Sequence, residues 1–368
     1  MKTQIFRFAP NSDLNIYGDQ FKEAANIIKN GGLVAFPTET VYGLGGDATD
    51  KNAASKIYAA KGRPSDNPLI IHIASPEDAE KYAYTSSLYY KLADAFMPGP
   101  LTVILPKKDS IPNEVTGGLD TVAVRCPSHP VAHKLILASG TAIAAPSANL
   151  SGSPSPTCAK HVIDDLSGRV DCIIDGGECE IGLESTIVMI KNDGSSLILL
   201  RPGAITYDAL CCVCENVEIS PTLEGTLGEN EHPLSPGMKY KHYAPASPLI
   251  LLDGEDDDVL RFMIEEQKKK KCALICYDEE IPFLGDKLIL PIGAKDDISS
   301  HGKLIFSRLR QCDRLSPEII YAHLPCKDGL GLALYNRLIR AAAHTVLKID
   351  KEYFMKGSNT DGKKKETD

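Results

Sequence analysis

The sequence lacks the features of membrane-spanning and exported proteins. No segment approaches the roughly 20 consecutive apolar residues that a membrane-spanning helix needs. The stretch from Met1 to Pro10 has no apolar core of the kind that a signal peptide carries. Eleven cysteines in a chain of 368 residues, with no export signal, are typical of reduced thiols. We therefore expect a cytoplasmic protein without a membrane partner.

Several common binding motifs are also missing. No GxxxxGK[ST] is present, which excludes a P-loop enzyme, and no GxGxxG follows the first predicted strand of the second half. The closest cysteines, Cys211, Cys212 and Cys214, have no second pair at zinc-finger spacing, so we expect thiols there rather than a structural metal. A net charge of −9 argues against a general binder of nucleic acid or anionic membranes and leaves room only for local basic pockets.

What is present is an alternation of short apolar runs and helical stretches, and the length favours two domains. The alternation predicts an α/β domain over residues 1–215, built on a large twisted sheet. Its predicted strands are Leu33–Phe36, Leu69–Ile73, Thr102–Leu105, Thr121–Arg125, Ala142–Ala145, Cys172–Ile174, Thr186–Ile190 and Leu197–Leu200. Its predicted helices are Asp19–Asn30, Asn52–Ala60, Ser87–Phe96, Pro130–Ser139 and Ala159–Leu166.

A Pro- and Gly-rich span, 216–247, is predicted to be a linker, although its "MKYKHYAP" is dense in cations and aromatics. A smaller, parallel, Rossmann-like α/β domain is predicted over 248–350, and a disordered tail over 351–368. The second domain's predicted strands are Leu249–Leu252, Ala273–Tyr277, Leu288–Leu290 and Glu318–Ala322, and its predicted helices are Asp256–Lys271, Lys303–Cys312 and Leu332–Leu347.

Polar, small and cationic residues recur where the strands of the first domain end. Because ligands of α/β sheets bind outside strand ends, we expect these residues to converge on one cavity. A nucleoside triphosphate and a carboxylate would suit them. The set comprises a point charge (Lys61), guanidinium forks (Arg63, Arg125, Arg201), neutral donors (Ser147, Asn149, Ser151, Ser155) and glycines that allow close backbone approach (Gly43, Gly45, Gly46).

Each of these residues also has a simpler interpretation. The Lys-Gly-Arg-Pro turn is compatible with a solvated loop, and His72, inside an apolar strand, with a core histidine. Glu39 and Glu184 are candidate general bases, yet the sequence shows no partner for either. No order of Ser, His and Asp, and no Cys–His pair, stands out for covalent catalysis.

Seven motifs follow one another along the chain: "FPTETVYGLG", "KGRPSDNPLIIHI", "PGPLTVIL", "TVAVRCPSHP", "APSANLSGSPSPT", "ESTIV" and "LRPG". Taken together, they resemble the motifs of the YrdC-type threonylcarbamoyl-AMP synthases. The Pro-rich "SPGMKYKHYAP" followed by a small α/β domain resembles the long, two-domain form of that family. The resemblance implies an open, twisted, mixed sheet with a concave, positive cavity, a linker and a smaller C-terminal Rossmann-like domain.

The resemblance also implies a reaction. L-threonine, ATP, and bicarbonate or CO2 would give threonylcarbamoyl-AMP and pyrophosphate, for modification of the tRNA adenosine beside the anticodon. A separate transferase complex would make the transfer to tRNA, so no stable tRNA binding is expected. Mg²⁺ would enter with ATP and be held through the phosphates rather than by protein ligands.

Site roles follow from the same resemblance. Lys61 and Arg63 would be catalytic, and Tyr243 of the linker would contact the nucleotide, although Tyr240 is an alternative. The linker itself is expected to form either a lid over the cavity or a strap between domains. ATP would be held by Lys61, Ser65, Thr121, Ser147, Ser155 and Arg201, with Asn149 and Arg63 supporting. Threonine would be held by Thr38, His72, Arg125, Ser185 and the backbone of Ala145.

Two other functions stay open at this point. One is a carbamoyltransferase of the hydrogenase-maturation type, although its acylphosphatase and zinc-finger-like modules are absent here. The other is an RNA-binding module of the same fold, although RNA-module motifs and a broadly basic face are absent. The role of the second domain is likewise open: it could anchor the lid, bind a partner or mediate oligomers.

Overall fold

The structure is a computed structural model that describes residues 2–9, 12–223, 243–285, 288–350 and 353–354. Within these ranges, one large and one small sheet are present. The large sheet contains β1 (Gln4–Arg7), β2 (Val34–Phe36), β3 (Gly43–Asp47), β4 (Ile70–His72), β5 (Leu101–Pro106), β6 (Thr121–Arg125), β7 (Ile143–Ala145), β8 (Cys172–Asp175), β9 (Thr186–Ile190), β10 (Ser196–Arg201) and β11 (Asn216–Ile219). The small sheet contains β12 (Leu249–Gly254), β13 (Cys272–Cys276), β14 (Ile289–Pro291), β15 (Ile319–His323) and β16 (Val346–Ile349). The α-helices are α1 (Gly18–Lys29), α2 (Lys51–Lys61), α3 (Ser87–Phe96), α4 (Asn113–Thr116), α5 (Pro130–Ser139), α6 (Ala159–Leu166), α7 (Tyr207–Cys211), α8 (Asp256–Lys269), α9 (Ile298–Leu315) and α10 (Gly331–Ala341).

The large sheet is mixed, which confirms the predicted fold class. Its strand order is β1-β8-β2-β3-β7-β4-β6-β5-β9-β10-β11. At its centre β4 and β6 run parallel, with His72 beside Arg125. Strand β7 runs antiparallel to β4, with Ala145 opposite Ile70. These registers place side chains from three separate motifs next to one another.

The two faces of this central region have different partners, because successive side chains of a strand point to opposite faces. Ile71, Val124 and Ala144 lie on one face and belong to the main hydrophobic core. Their neighbours on the other face include Ile70 and His72, which line a cavity. The sheet is therefore covered on one side and carries a pocket on the other.

Of the three glycines expected to allow close backbone approach to a ligand, only Gly43 lines the cavity, and Gly45 and Gly46 pack against neighbouring side chains. A Cβ on Gly45 would lie 2.5 Å from Cγ2 of Ile143 and 2.7 Å from the Phe36 ring. A Cβ on Gly46 would lie 3.1 Å from that of Ala53 in α2. Both glycines are required by close packing within the domain, and the segment is a buried strand.

The small sheet is entirely parallel, with strand order β14-β13-β15-β12-β16, as predicted for the second domain. The predicted final helix, Leu332–Leu347, was too long. Helix α10 ends at Ala341, and Ala343 and His344 then adopt positive φ angles of 48° and 61°. This turn reverses the chain into β16, which pairs with β12 at the edge of the sheet.

Two features fall at the predicted domain limits. Strand β11 pairs with β10, so the large sheet continues to Ile219 and passes the predicted limit at 215. In the predicted tail, the Tyr353 ring packs edge-on against Phe262, with 5.5 Å between ring centroids, and Arg261 lies over the Phe354 ring. Most of the linker, 224–242, and most of the tail lie outside the described residues.

All eleven cysteines lie in the described part of the chain, and none forms a disulfide. Within the described ranges, no group of three or more His, Cys, Asp or Glu side chains is arranged to hold a metal ion. Every helix there is too short or too polar to traverse a bilayer.

Candidate active site

A pocket of about 610 Å³, open solvent at its mouth included, lies on the uncovered face of the central strands. Three arginines and one glutamate give the wall an excess of positive charge. The wall consists of Thr38, Thr40, Val41, Tyr42, Gly43, Arg63, Ile70, His72, Arg125, Ala145, Pro146, Ser147, Asn149, Ser155, Glu184, Ser185, Arg201 and Tyr243.

Arg125, at the end of β6, forms a buried ion pair with Glu39. Its Nη2 donates to Oε1 of Glu39 at 2.7 Å, and both side chains are about 5% exposed or less. Burial alone would raise the pKa of Glu39, but the charge and hydrogen bond of Arg125 hold it below its ordinary value. The Nε of Arg125 has no hydrogen-bond partner among the described residues. An unpartnered buried donor of this kind suits an anionic ligand group.

His72 lies beside Arg125 in the sheet and is neutral. Its Nδ1 is 3.3 Å from the carbonyl oxygen of Ile143, and its ring meets the edge of Phe36. Burial lowers the pKa of His72 to about 3, and the neighbouring positive charge of Arg125 acts in the same direction. This side chain therefore offers a polar, uncharged surface to a ligand.

The turn after β2 presents hydroxyl groups to the same end of the pocket. Oγ1 of Thr38 donates to the carbonyl of Val41 at 2.7 Å and accepts the N–H groups of Thr40 and Val41. It also lies 2.9 Å from Oγ1 of Thr40. The hydroxyl of Thr38 thereby fixes the turn in which it lies, a role that Ser and Thr commonly have.

Ser185 connects the two ends of the pocket. Its Oγ lies 2.7 Å from Oγ1 of Thr102 on β5 and accepts a hydrogen bond from Nη2 of Arg201 at 3.1 Å. The Nε of Arg201 donates to the carbonyl of Ser185 at 3.0 Å. Burial lowers the pKa of Arg201 to about 10, and the nearby Arg337 charge adds to the effect. Arg201 stays positively charged at neutral pH.

Glu184 is held by groups from both domains. Its Oε1 accepts a hydrogen bond from Oγ of Ser155 at 2.5 Å, and its Oε2 accepts one from Nε of Arg337 at 2.7 Å. Burial would raise the pKa of Glu184, but the charges of Arg337 and Arg201 hold it below its ordinary value. The carboxylate is therefore ionised, and the partner that the sequence did not show comes from α10.

Lys61 lies behind the pocket wall rather than in it. Its Nζ donates to the carbonyl oxygens of Ser147 and Asn149, each at 2.5 Å, while Oδ1 of Asn149 is 3.4 Å away. The main-chain carbonyl of Lys61 accepts the N–H of Ser151 at 2.9 Å. Burial and the charge of Arg63 lower the pKa of Lys61 well below its usual range. Lys61 therefore braces the loop that follows β7.

Arg63 and Tyr243 both line the pocket. The Nη2 of Arg63 donates to the carbonyls of Asn67 and Pro68 at 3.2 and 3.1 Å, which fixes the turn after α2. Tyr243 is buried and stacks on Phe306 of α9, with 5.1 Å between ring centroids. The alternative nucleotide contact, Tyr240, lies outside the described residues.

Most of the residues predicted to bind ATP or threonine are thus brought together, and three of them are not in the wall; the predicted donor Ser151 is exposed and also lies outside it. Lys61 lies behind the wall, Ser65 is exposed in the turn after α2, and Thr121 begins β6. Thr121 lies about 13 Å along the strand from Arg125, at 3.3 Å per residue. The predicted residues in the wall are Thr38, Arg63, His72, Arg125, Ala145, Ser147, Asn149, Ser155, Ser185, Arg201 and Tyr243.

Comparisons with known proteins match both domains of this chain. Residues 26–203 match the Sua5–yciO–yrdC family model, described as "Telomere recombination", and residues 205–343 match the model "Threonylcarbamoyl-AMP synthase, C-terminal domain". The threonylcarbamoyl-AMP synthase of Pyrococcus abyssi is 45% identical over 336 residues, covering 89% of this chain and 95% of that protein. The threonylcarbamoyl-AMP synthase of Bacillus subtilis is 40% identical over 351 residues, covering 95% and 100%.

The chain belongs to the threonylcarbamoyl-AMP synthase family. A solved structure of P. abyssi Sua5 complexed with L-threonine has a TM-score of 0.84 and 42% identity, covering 95% of this chain and 100% of that chain. As a member of this family, the chain is an enzyme of the nucleotidyltransferase type. Neither the carbamoyltransferase nor the RNA-binding alternative is favoured, because the matches extend through the C-terminal domain of the synthases.

Part of the site of this synthase was not predicted from its sequence. Thr40 lies two positions after Thr38, and that spacing within "PTETVYG" was a usable signal. Val41 and Tyr42 were not identified, because apolar side chains next to a polar motif carry no chemical signature. Arg337 was also missed, since its place beside Glu184 depends on how the two domains pack.

Proposed function

We propose that this pocket joins L-threonine, CO2 or bicarbonate, and ATP into threonylcarbamoyl-AMP, with pyrophosphate as the leaving group. The observation that carries the proposal is the gathering of Arg125, Arg201, Ser147 and Ser155 in one wall. A small amino acid and a triphosphate need such a set side by side. Family membership and the threonine complex of the P. abyssi protein support the same assignment.

Threonine would occupy the end of the pocket around Arg125. The unpartnered Nε of Arg125 can donate to its carboxylate. Thr38 and Ser185 would supply hydroxyl contacts, and the carbonyl of Ala145 would accept from the amine. His72 can contact the ligand without adding charge, because it is neutral. Threonine's own carboxylate would thus meet a guanidinium while its amine meets neutral or acceptor groups.

The phosphates of ATP would occupy the end around Arg201. Ser147 and Ser155 offer hydroxyl groups there, and Arg63 and Arg201 offer guanidinium groups. Lys61 stays a prediction for the phosphates, because its Nζ lies behind the wall and donates to the carbonyls of Ser147 and Asn149 and to Oδ1 of Asn149. Ser65 and Thr121 stay predictions for the outer part of the nucleotide, and Tyr243 for its contact from above.

The chemistry requires positioning and charge stabilisation more than a strong base. The threonine amine attacks the carbon of CO2 and releases a proton; with bicarbonate instead, that proton leaves with the displaced hydroxide as water. A carbamate oxygen then attacks the α-phosphorus, and the bond from that phosphorus to the pyrophosphate oxygen breaks. Glu39 and Glu184 are both ion-paired, with pKa values below their ordinary range, so they are weak bases. Fixed donors around the phosphates and the carboxylate would supply most of the acceleration.

Mg²⁺ would accompany ATP and offset charge on its phosphates. The two carboxylates at the pocket, Glu39 and Glu184, are each committed to an arginine. Hydroxyl and carbonyl oxygens remain, and these suit an ion that keeps several waters and is held mainly by phosphate oxygens. The product would be passed to a separate transferase complex that modifies the tRNA adenosine beside the anticodon.

The test uses the purified full chain with ATP, Mg²⁺, L-threonine and ¹³C-bicarbonate. We expect pyrophosphate release to require both threonine and bicarbonate, and we expect the label to appear in an adenylate whose mass equals that of threonylcarbamoyl-AMP. L-serine serves as the matched control substrate, because it lacks only the methyl group. Release of ADP and phosphate, or of pyrophosphate without threonine, would overturn the proposal.

A further inference from the structure

We infer that the second domain is a working part of the nucleotide site, because its arginines Arg310 and Arg337 hold Ser155 from two sides. The inference rests on the proposed function only for the identity of the ligand, ATP. It assigns to α9 and α10 a role that the sequence left open. Both arginines are positioning residues, since neither lies in the pocket wall.

The first set of contacts links Arg337 to Ser155 through the carboxylate of Glu184. Arg337 is about 1% exposed and donates from Nε to the Glu184 carboxylate, whose other oxygen accepts the Ser155 hydroxyl. The Nη2 of Arg337 donates to the carbonyl of Pro202 at 3.0 Å, beside Arg201. One guanidinium of the second domain thereby fixes the two segments that carry Glu184 and Arg201.

The second set of contacts fixes the main chain next to Ser155. Arg310 donates from Nε and Nη2 to the carbonyl of Pro154, at 3.1 and 2.6 Å. Its Nη1 and Nη2 also form a paired contact with the carboxylate of Asp165, at 3.0 and 2.8 Å. Asp165 in turn accepts the N–H of Leu150 at 3.1 Å, so the whole loop from Leu150 to Ser155 is held by α9.

The charge balance explains why these contacts matter for a nucleotide. Without Arg337, the buried Glu184 carboxylate would keep only Arg201 as a nearby cation, and it would compete with phosphate oxygens for that guanidinium. The Ser155 hydroxyl would lose a fixed acceptor. Loss of Arg337 should affect the threonine end of the pocket less, because Ser185 there also contacts Thr102.

A third arginine provides a matched control. Arg314 on α9 forms an ion pair with Asp164 at 2.7 Å, and both side chains are about half exposed. It joins the same two domains but contacts no residue of the pocket wall. Loss of this exposed pair removes an interdomain contact with little effect on stability.

The experiment compares full-length Arg337→Met, Arg337→Lys and Arg314→Ala by calorimetric binding of ATP and of threonine, with circular dichroism to confirm folding. We expect Arg337→Met to weaken ATP binding at least about tenfold while threonine binding changes less than about threefold. Arg337→Lys should recover part of the loss, because it keeps the charge but not the fork. Arg314→Ala should bind both ligands like the unmodified chain.

If Arg337→Met does not fold, the double variant Glu184→Gln/Arg337→Met leaves no unpaired buried charge and is measured in its place. ATP binding equal to that of Arg314→Ala would overturn the inference, and so would an equal loss of both ligands. These measurements need no turnover. An unmodified chain that binds ATP but releases no threonine-dependent pyrophosphate would overturn the proposed function and leave this inference standing.

Discussion

The ammonium group of Lys61 lies 2.5 Å from the carbonyl oxygen of Ser147, on the far side of the loop that faces the pocket. The side chain bridges the end of α2 and the loop after β7, and its own carbonyl makes a second contact with that loop at Ser151. A residue expected to touch phosphates is thus also a brace for the serine that would bind them. Loss of the ammonium would disturb both functions.

Replacement of Lys61 by Met should lower adenylate formation at least about tenfold while the protein stays folded. Two buried carbonyls would lose a charged donor, and the loop carrying Ser147 would loosen. Hydrogen exchange of the amides in that loop should become faster than in the unmodified chain. Lys56→Met is the matched control, because Lys56 lies on the same helix and donates to the Gly31 carbonyl at an exposed position. Unchanged turnover of Lys61→Met would refute the role of this lysine.

Arg125→Lys should weaken threonine binding at least about tenfold and leave ATP binding nearly unchanged. Lysine keeps one charge near Glu39 but cannot offer the second donor that Nε supplies. Titration calorimetry with each ligand separates the two effects. Lys191→Met, which breaks the exposed pair of Lys191 with Glu218, is the control and should alter neither affinity. A parallel loss for both ligands would mean that Arg125 supports the whole pocket rather than the carboxylate.

His72 should make the protein less stable as the pH falls. Its pKa is lowered to about 3 in the folded chain, chiefly by burial, against 6.5 when unfolded. Between these values the unfolded state binds more protons, so the free energy of unfolding rises with pH and is fully recovered above the unfolded pKa. His72→Asn should therefore reduce the slope of that free energy by up to about 1.4 kcal/mol per pH unit between about pH 4 and pH 6.

Urea unfolding of both proteins over that pH range gives the comparison. Burial also lowers the pKa values of His129 and His161. In the unmodified protein, several histidines therefore contribute to the pH dependence of the free energy of unfolding. The difference between the two proteins isolates His72. Equal slopes would show that His72 is charged or solvated in the folded state.

The sequence predicted those parts of the fold in which local pattern and burial agree. Strand β6 was predicted at its observed bounds, because "TVAVR" is a β-branched run between turns. Strand β3 was missed, because glycines disfavour strands and the packing of Ile143 and Phe36 that requires them is a long-range fact. Strand β16 was missed because the predicted final helix, Leu332–Leu347, includes the first two residues of that strand.

In the candidate site, too, local sequence predicted some features, while those that depend on long-range packing were missed. Arg125 and Ser147 were identifiable because each is a polar residue at or just after the end of a buried strand, where ligands of α/β sheets bind. The opposite directions of β6 and β7, which place the two residues toward opposite ends of the strands, were not predicted. The partner of Glu184 was not identifiable, since Arg337 is 153 positions away, on a predicted helix to which the sequence assigned no role. The bracing role of Lys61 depends on the positions of two carbonyl groups, which side-chain chemistry does not predict. Residue types thus revealed groups that line the pocket but not the groups that hold them in place.

Substitution of the glycine in the "LRPG" motif by alanine should destabilise the protein, whereas the same substitution at a second glycine should stabilise it. A Cβ on Gly203 would lie 2.5 Å from the backbone nitrogen of Thr186 and 2.8 Å from the carbonyl oxygen of Glu184. Gly203→Ala should therefore lower the free energy of unfolding by about 1–3 kcal/mol and reduce turnover, because the segment carrying Glu184 must shift.

Gly18, at the first position of α1, is the control. It has ordinary helical angles, and a Cβ added there would meet no atom within 4 Å, so Gly18→Ala should raise the free energy of unfolding by about 0.4–1 kcal/mol. Urea unfolding of the two variants measures both changes, and a shift of the same sign in both would show that space around the Cβ does not decide the effect.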